Sequence, residues 1–184
     1  GSSVVVLDEK FFEESNEIFL GDALSSNSTS INFFQNGGHG TTSAIQLRGL
    51  PKRYSTVFID GVKMSDPSSV SDDFDFNHIL VNQIDRVEIL KGNQSSIYGS
   101  GAIGGTINIT TKKFNGKEVQ SLNLSNGSNS TRNISFQKSK EFERSNFFIS
   151  LDRFSTNGIS QIRHNDEKDA YRNTSFYGNY NKII

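Results

Sequence analysis

Gly99, Gly101 and Gly104 stand in a G-x-G-x-x-G spacing, the pattern that lets a backbone close on a pyrophosphate. That chemistry needs a helix directly after the glycines, because the helix N-terminus holds the phosphate. Here Thr106-Ile107-Asn108-Ile109-Thr110 follows, alternating with period two and carrying two Ile, so it predicts a strand. A dinucleotide site fails on that context. The histidines His39, His78 and His164 lie far apart with no H-E-x-x-H spacing, and they read as solvated loop or helix-surface residues. Ser95, Ser96 and Ser100 lie near glycines, yet none completes G-x-S-x-G, so no nucleophile elbow is present. No enzyme is indicated. Asp166, Glu167 and Asp169, with Gln161 nearby, gather the oxygen ligands that a hard cation such as calcium takes. Arg163 and Lys168 are mixed among them, so a solvated acidic loop tip competes with a cation site.

The chain of 184 residues has room for one domain and part of another. Apolar residues make up 33% and mean hydropathy is −0.49, low for a protein with one generous core. No segment approaches the ~18 consecutive apolar residues of a transmembrane helix. With 19 basic and 20 acidic residues and no basic block, nucleic-acid binding has no electrostatic footprint. The absence of Cys excludes disulfides and thiolate chemistry. Gly1 in place of an initiator Met, and an end inside a strand-like Tyr180 to Ile184, read as a fragment cut at both ends.

The N-terminal part reads as α+β. Val4 to Val6 predicts a short strand; Asp8 is a helix N-cap with Leu7 and Phe12 at the staple positions around it. A second helix is expected over 17–24, then a polar linker over 25–30 and a turn at Gly37-Gly38-His39-Gly40. A hairpin-like region follows: Ile45 to Leu47, a loop over 49–55, a strand over 56–59, and the tight-turn dipeptide Asp60-Gly61 leading into Val62. Residues 77–84 suggest a short helix, and Val87 to Leu90 a strand.

After Lys113 the pattern changes. Leu122 and Leu124, Ile134 and Phe136, Phe147, Ile149 and Leu151, and Phe176 and Tyr180 each alternate with polar residues. That is the dyad signature of transmembrane β-barrel strands, although a soluble β-meander alternates in the same way.

The stretch Arg86-Val87-Glu88, Lys91-Gly92, Tyr98 to Gly105 and Ile107-Asn108-Ile109 resembles the end of the plug domain of TonB-dependent outer-membrane receptors; Asn93 departs from a usual Pro. Gln35-Asn36-Gly37-Gly38, Leu47-Arg48-Gly49 and Phe58 to Val62 match further plug motifs in the same order. The resemblance implies an α+β plug domain over 1–113, followed over 114–184 by the first antiparallel strands of a transmembrane β-barrel of about 22 strands in the whole receptor. Lys138 to Arg144 would then be a periplasmic turn, Gly127 to Thr131 a short extracellular turn and Ser155 to Tyr171 a longer extracellular loop.

It further implies a receptor of the Gram-negative outer membrane that imports a scarce large nutrient, contacts outer-membrane lipid and is energised by the TonB–ExbB–ExbD complex, whose binding box would precede Gly1. Two outward plug loops are the implied substrate contacts: Leu50, Pro51, Lys52, Arg53 and Tyr54, and Ser65, Asp66, Pro67, Ser68, Ser69, Val70 and Ser71. Arg48, Gly49, Asp60, Gly61, Arg86, Glu88, Gly92, Tyr98, Gly99, Gly101, Gly104 and Gly105 form the implied structural motif, the four charged residues pairing with one another or with the barrel wall. The segment from Gln35 to Met64 looks most like vitamin B12 receptors, for which the Asp166, Glu167, Asp169 cluster would be a calcium site; a ferric-siderophore receptor is the alternative within the family, and a soluble β-rich binding protein the alternative outside it.

Overall fold

The computed structural model describes residues 3–27, 31–65, 74–160 and 168–182. The chain divides into two compact units, one of residues 1–36 and 41–111, the other of 37–40 and 112–184.

In the first unit, β1 (Ser3–Leu7) leads into α1 (Glu9–Glu14). The Asp8 side chain accepts the Phe11 N–H at 3.0 Å, and Leu7 and Phe12 are both buried, as capping and staple chemistry require. Helix α2 spans Leu20–Asn27, shifted from the expected 17–24. The cause is tertiary: Val81 N–H donates to Ile18 O, Leu20 N–H donates to Ile79 O, and Phe19 bridges Leu80, which holds residues 18–19 extended. The expected linker begins as the last turn of α2, where Ser26 Oγ donates back to Ala23 O at 3.1 Å.

Strands β2 (Ile31–Gln35) and β3 (Ser43–Leu47) pair with each other. Strand β4 (Ser55–Ile59) turns into β5 (Val62–Met64) at Asp60-Gly61, both at positive φ. The hairpin-like reading therefore holds for β4 and β5 but not for β3 and β4, which belong to different sheets. The helix expected over 77–84 is two single 3₁₀ turns, Phe76–His78 and Val81–Gln83, after which Ile84 opens β6 (Ile84–Lys91). A four-residue helix α3 (Ser95–Tyr98) precedes the glycines, and β7 (Gly105–Thr111) follows them.

The main sheet runs β1-β6-β7-β4-β5, with β4 and β7 parallel and the other pairs antiparallel. A register shift at Ile84/Arg86 explains why Ile84 and Val87, three apart, are both buried: one extra residue flips the phase before Val87 and Ile89 resume period two. Those side chains join Ile107 and Ile109 of β7, Leu20 and Leu24 of α2, and Ile45 and Leu47 of β3 in one apolar core.

The second unit is an open antiparallel sheet of β8 (Val119–Gly127), β9 (Thr131–Phe142), β10 (Ser145–Thr156) and β11 (Tyr171–Lys182) in sequential order. The expected turn over 138–144 shrinks to Glu143-Arg144, because Lys138 to Phe142 continue the ladder with β10. Asn129 and Ser130 take left-handed φ in the turn between β8 and β9, where Thr131 N–H donates to Ser128 O at 3.0 Å. One face of this sheet buries polar residues together with Phe148 and Phe154, and the other exposes apolar ones. Ser135, Gln137, Ser139, Ser150, Asp152 and Thr156 are buried, while Leu122, Leu124, Ile134, Leu151, Phe176 and Tyr180 are exposed.

Candidate functional site

The glycine-rich segment and the Leu50–Tyr54 loop meet in the first unit. Leu50 N–H donates to Leu47 O at 3.1 Å, Tyr54 N–H donates to Pro51 O at 3.0 Å, and Lys52–Tyr54 form one 3₁₀ turn. Arg53 Nη2 donates to the neighbouring Tyr54 hydroxyl at 3.3 Å, with its guanidinium 5.0 Å from the Tyr54 ring centre. Gly104 N–H donates to Tyr54 O at 2.8 Å, and a Cβ at Gly104 would stand 3.0 Å from that same oxygen and 3.3 Å from Leu50 Cδ1. Gly104 thus lets two backbones close on each other, whereas Gly99 has open space around an added Cβ and is set apart by its φ of 87°. Gly92 N–H to Gly104 O and Gln94 N–H to Ala102 O tie the same loop to the end of β6, and Tyr98 packs on Phe58 with ring centres 5.2 Å apart. A cation and an aromatic are left at the loop's surface, on a backbone pinned from three sides. Beside them a cleft of about 40 Å³, lined in part by Arg53, Thr56 and Lys63, is of a size for water rather than for a large nutrient.

The other candidate residues divide. Of the second loop, Ser65 alone is among the described residues, and Asp66 to Ser71 lie outside them. Asp166 and Glu167 also lie outside, leaving Asp169 as the one described member of that cluster. Arg86 and Glu88 pair at 3.1 Å, as the pairing expectation has it. Asp60 is held differently: its carboxylate accepts both the N–H and the hydroxyl of Thr111, and its own N–H donates to Ile109 O at 2.9 Å. Arg48 is exposed at φ 58°, next to Gly49 at φ 75°.

Two features escaped the residue reading. His39, expected as a plain loop residue, packs within the second unit, its ring 5.2 Å from Phe154 and 6.2 Å from Tyr171. The other is Ser43, whose hydroxyl donates to Asp75 Oδ1 at 2.6 Å and accepts the Phe76 N–H at 3.1 Å, while Asp75 caps the Asn77 N–H. Burial pushes the Asp75 carboxyl up, but the hydrogen bonds from Ser43 and Asn77, with a smaller pull from His78, outweigh it and leave it below the ordinary carboxylate range. Since the folded value lies below the unfolded one, this site stabilises the fold at neutral pH, and the contribution fades as pH falls through the folded value. Ser43→Ala is expected to cost about 1–3 kcal/mol at neutral pH. In urea titrations followed by circular dichroism, the gap between wild type and Asp75→Asn should narrow on acidification; a constant gap down to strong acid would show that the carboxylate charge is not what matters.

The family model for the TonB-dependent receptor plug domain matches residues 1–106. The chain belongs to that family. The vitamin B12 transporter BtuB of Vibrio vulnificus (strain CMCP6) is 31% identical over 141 residues, which is 77% of this chain and 23% of that protein. BtuB of Photobacterium profundum is 35% identical over 92 residues, 50% of this chain and 15% of that one. Among solved structures, the pyoverdine outer-membrane receptor FpvA of Pseudomonas aeruginosa PAO1 superimposes with TM-score 0.80 over 100% of this chain and 25% of its own, at 17% identity. The ferric yersiniabactin uptake receptor FyuA of Yersinia pestis gives 0.77 over 98% and 29%, at 19% identity. At such identities the likeness shows the fold: a plug followed by wall strands, in a chain spanning less than a third of the relatives it matches. These named relatives are transporters and receptors, not enzymes.

Proposed function

We propose that this chain is the plug and first wall strands of an outer-membrane receptor that takes up cobalamin into the periplasm of a Gram-negative bacterium. The observation that carries the reading is the sequence likeness to a vitamin B12 transporter over 141 residues, a stretch longer than the plug match of residues 1–106. It therefore runs into the strands, where a general plug signature does not reach. The structural likeness to siderophore receptors lies below the identity at which fold speaks for ligand, so it does not favour a ferric siderophore over cobalamin. The exposed apolar faces of β8 to β11 favour a lipid-embedded wall over a soluble β-rich binding protein.

In this mechanism the ligand settles on Leu50–Tyr54 and on the loop from Ser65 to Ser71. The TonB–ExbB–ExbD complex then pulls on a segment ahead of the plug, and plug rearrangement opens a path through the wall. Arg53 and Tyr54 contribute a guanidinium and an aromatic face on a loop braced by Gly104, which suits a large ligand with amide, phosphate and ring surfaces. Calcium bound by Asp166, Glu167 and Asp169 would order the extracellular loop.

The test uses the complete receptor in detergent, loaded with cyanocobalamin with and without calcium and followed by the ligand's visible absorbance during gel filtration. Stoichiometric co-elution strengthened by calcium is the expected result. A retained ferric siderophore with no cobalamin would keep the receptor class and remove both the cobalamin and the calcium assignments.

A further inference from the structure

Beyond nutrient binding, the outward face of the wall strands carries a charge pattern of its own. The cross-strand registers place Leu122, Phe136, Leu151 and Phe176 side by side, one residue from each of β8 to β11. One step toward the Ser128–Ser130 turn comes the row Leu124, Ile134, Arg153, Thr174, and one step further the row Asn126, Arg132, Ser155, Arg172. Arg132, Arg153 and Arg172 are all exposed and share the face of the apolar row. Arg132 and Arg172 flank Ser155, so their Cα atoms lie about 10 Å apart, with Arg153 about 8 Å from each, nearer the apolar row. No Asp or Glu occupies any outward position of the four strands. None of the three arginines has a carboxylate partner among the described residues. The opposite end of the same face carries lysines instead, Lys138, Lys140 and Lys182.

We propose that Arg132, Arg153 and Arg172 form a binding site for the phosphate groups of a lipid in the outer leaflet. The proposal rests on the outer-membrane reading above, which puts the two-residue turn Glu143-Arg144 on the periplasmic side and these arginines at the outer boundary of the apolar band. Three unpaired cations at the edge of hydrocarbon need anions, and long side chains there extend to the headgroup level. Guanidinium matches phosphate as a planar two-pronged donor, whereas ammonium acts as a point charge, so the sorting of Arg to one end and Lys to the other favours a phosphate-specific contact at the Arg end. A headgroup with two phosphates on a sugar core would span the triangle, bridging β9, β10 and β11.

The complete receptor is purified from outer membranes as wild type and as the Arg132→Gln, Arg153→Gln, Arg172→Gln triple variant. Each is titrated in mixed micelles with diphosphorylated lipid A and with its dephosphorylated form, and bound lipid is counted by native mass spectrometry. Wild type should bind the phosphorylated lipid at least tenfold more tightly than the dephosphorylated one, and the triple variant should lose that preference while keeping nutrient uptake. Equal binding by wild type and variant, or equal binding of both lipids, overturns the site while leaving the receptor reading intact. Wild type that does not fractionate with the outer membrane overturns the barrel reading and this site with it.

Discussion

Gly105→Ala is expected to destabilise the plug by about 2–6 kcal/mol. Gly105 opens β7 at φ 144°, where an L side chain is strained, and a Cβ there would run into the Leu90 carbonyl oxygen and lie 2.9 Å from Leu47 Cδ1. Neither neighbour can yield cheaply. Leu90 is locked in β6, paired with Thr106 next door, and Leu47 is fully buried in the core. Gly105 also sits where three strands meet, opposite Lys91 on one side and Ser55 on the other. Backbone strain of roughly 1–3 kcal/mol and overpacking of about 1–3 kcal/mol add to a sizeable part of a typical domain's stability of about 5–15 kcal/mol. Gly99→Ala is the matched control, since Gly99 lies in the same unit at φ 87° with nothing within 4 Å of an added Cβ. Urea midpoints of the two variants decide the matter. A Gly105→Ala loss no larger than that of Gly99→Ala would mean that β6 and β7 can part without cost, against the packing described.

Leu151→Arg is the second substitution with a large expected effect, and it separates a membrane wall from a soluble sheet. Leu151 belongs to the one row that is apolar on all four strands, and 52% of its surface is exposed. On a soluble surface a change of that kind is worth within about 0.5 kcal/mol either way. Facing lipid, arginine costs about 2–4 kcal/mol at the bilayer midplane and about 0–1 kcal/mol at the interfaces. Leu151, one row inside the Arg153 boundary, should fall between them at about 1–3 kcal/mol. Folding of the receptor into lipid vesicles, read by urea titration or by heat-modifiable gel migration, should therefore weaken by roughly that amount. Arg153, already charged on the same strand and face, provides the comparison: Arg153→Leu should not weaken insertion. An unchanged insertion free energy for Leu151→Arg would remove the lipid-facing assignment of the whole row.

Much of the architecture was legible in local pattern. Asp8 with Leu7 and Phe12 specifies a helix start within six consecutive residues, and Asp60-Gly61 specifies a two-residue turn because both positions need positive φ. The alternation in β8 to β11 also reads directly, since period two has one meaning wherever one face differs from the other. Elements went astray where distant partners overruled local preference. Residues 17–19 carry helical periodicity but are drawn out by Ile79 to Val81, and Lys138 to Phe142 look like a polar turn until their partners on β10 are seen.

The candidate site divides along the same line. Motif spacing ties the Gly-rich segment to the plug family and excludes a nucleotide helix, because those are properties of consecutive residues, while Leu50 to Tyr54 entered only as a loop that the family resemblance implies. That Gly104 closes on Tyr54, that Ser43 holds Asp75 across 32 positions and that Asp60 holds Thr111 across 51 are facts of tertiary structure. So is the alignment of Arg132, Arg153 and Arg172 beside the apolar row, which depends on three separate registers. A sequence states what each residue prefers within a few neighbours. Which distant groups share a face, a hydrogen bond or a charge is settled only when burial of the core selects one register from many, since the free energy of that choice is spread over the whole fold.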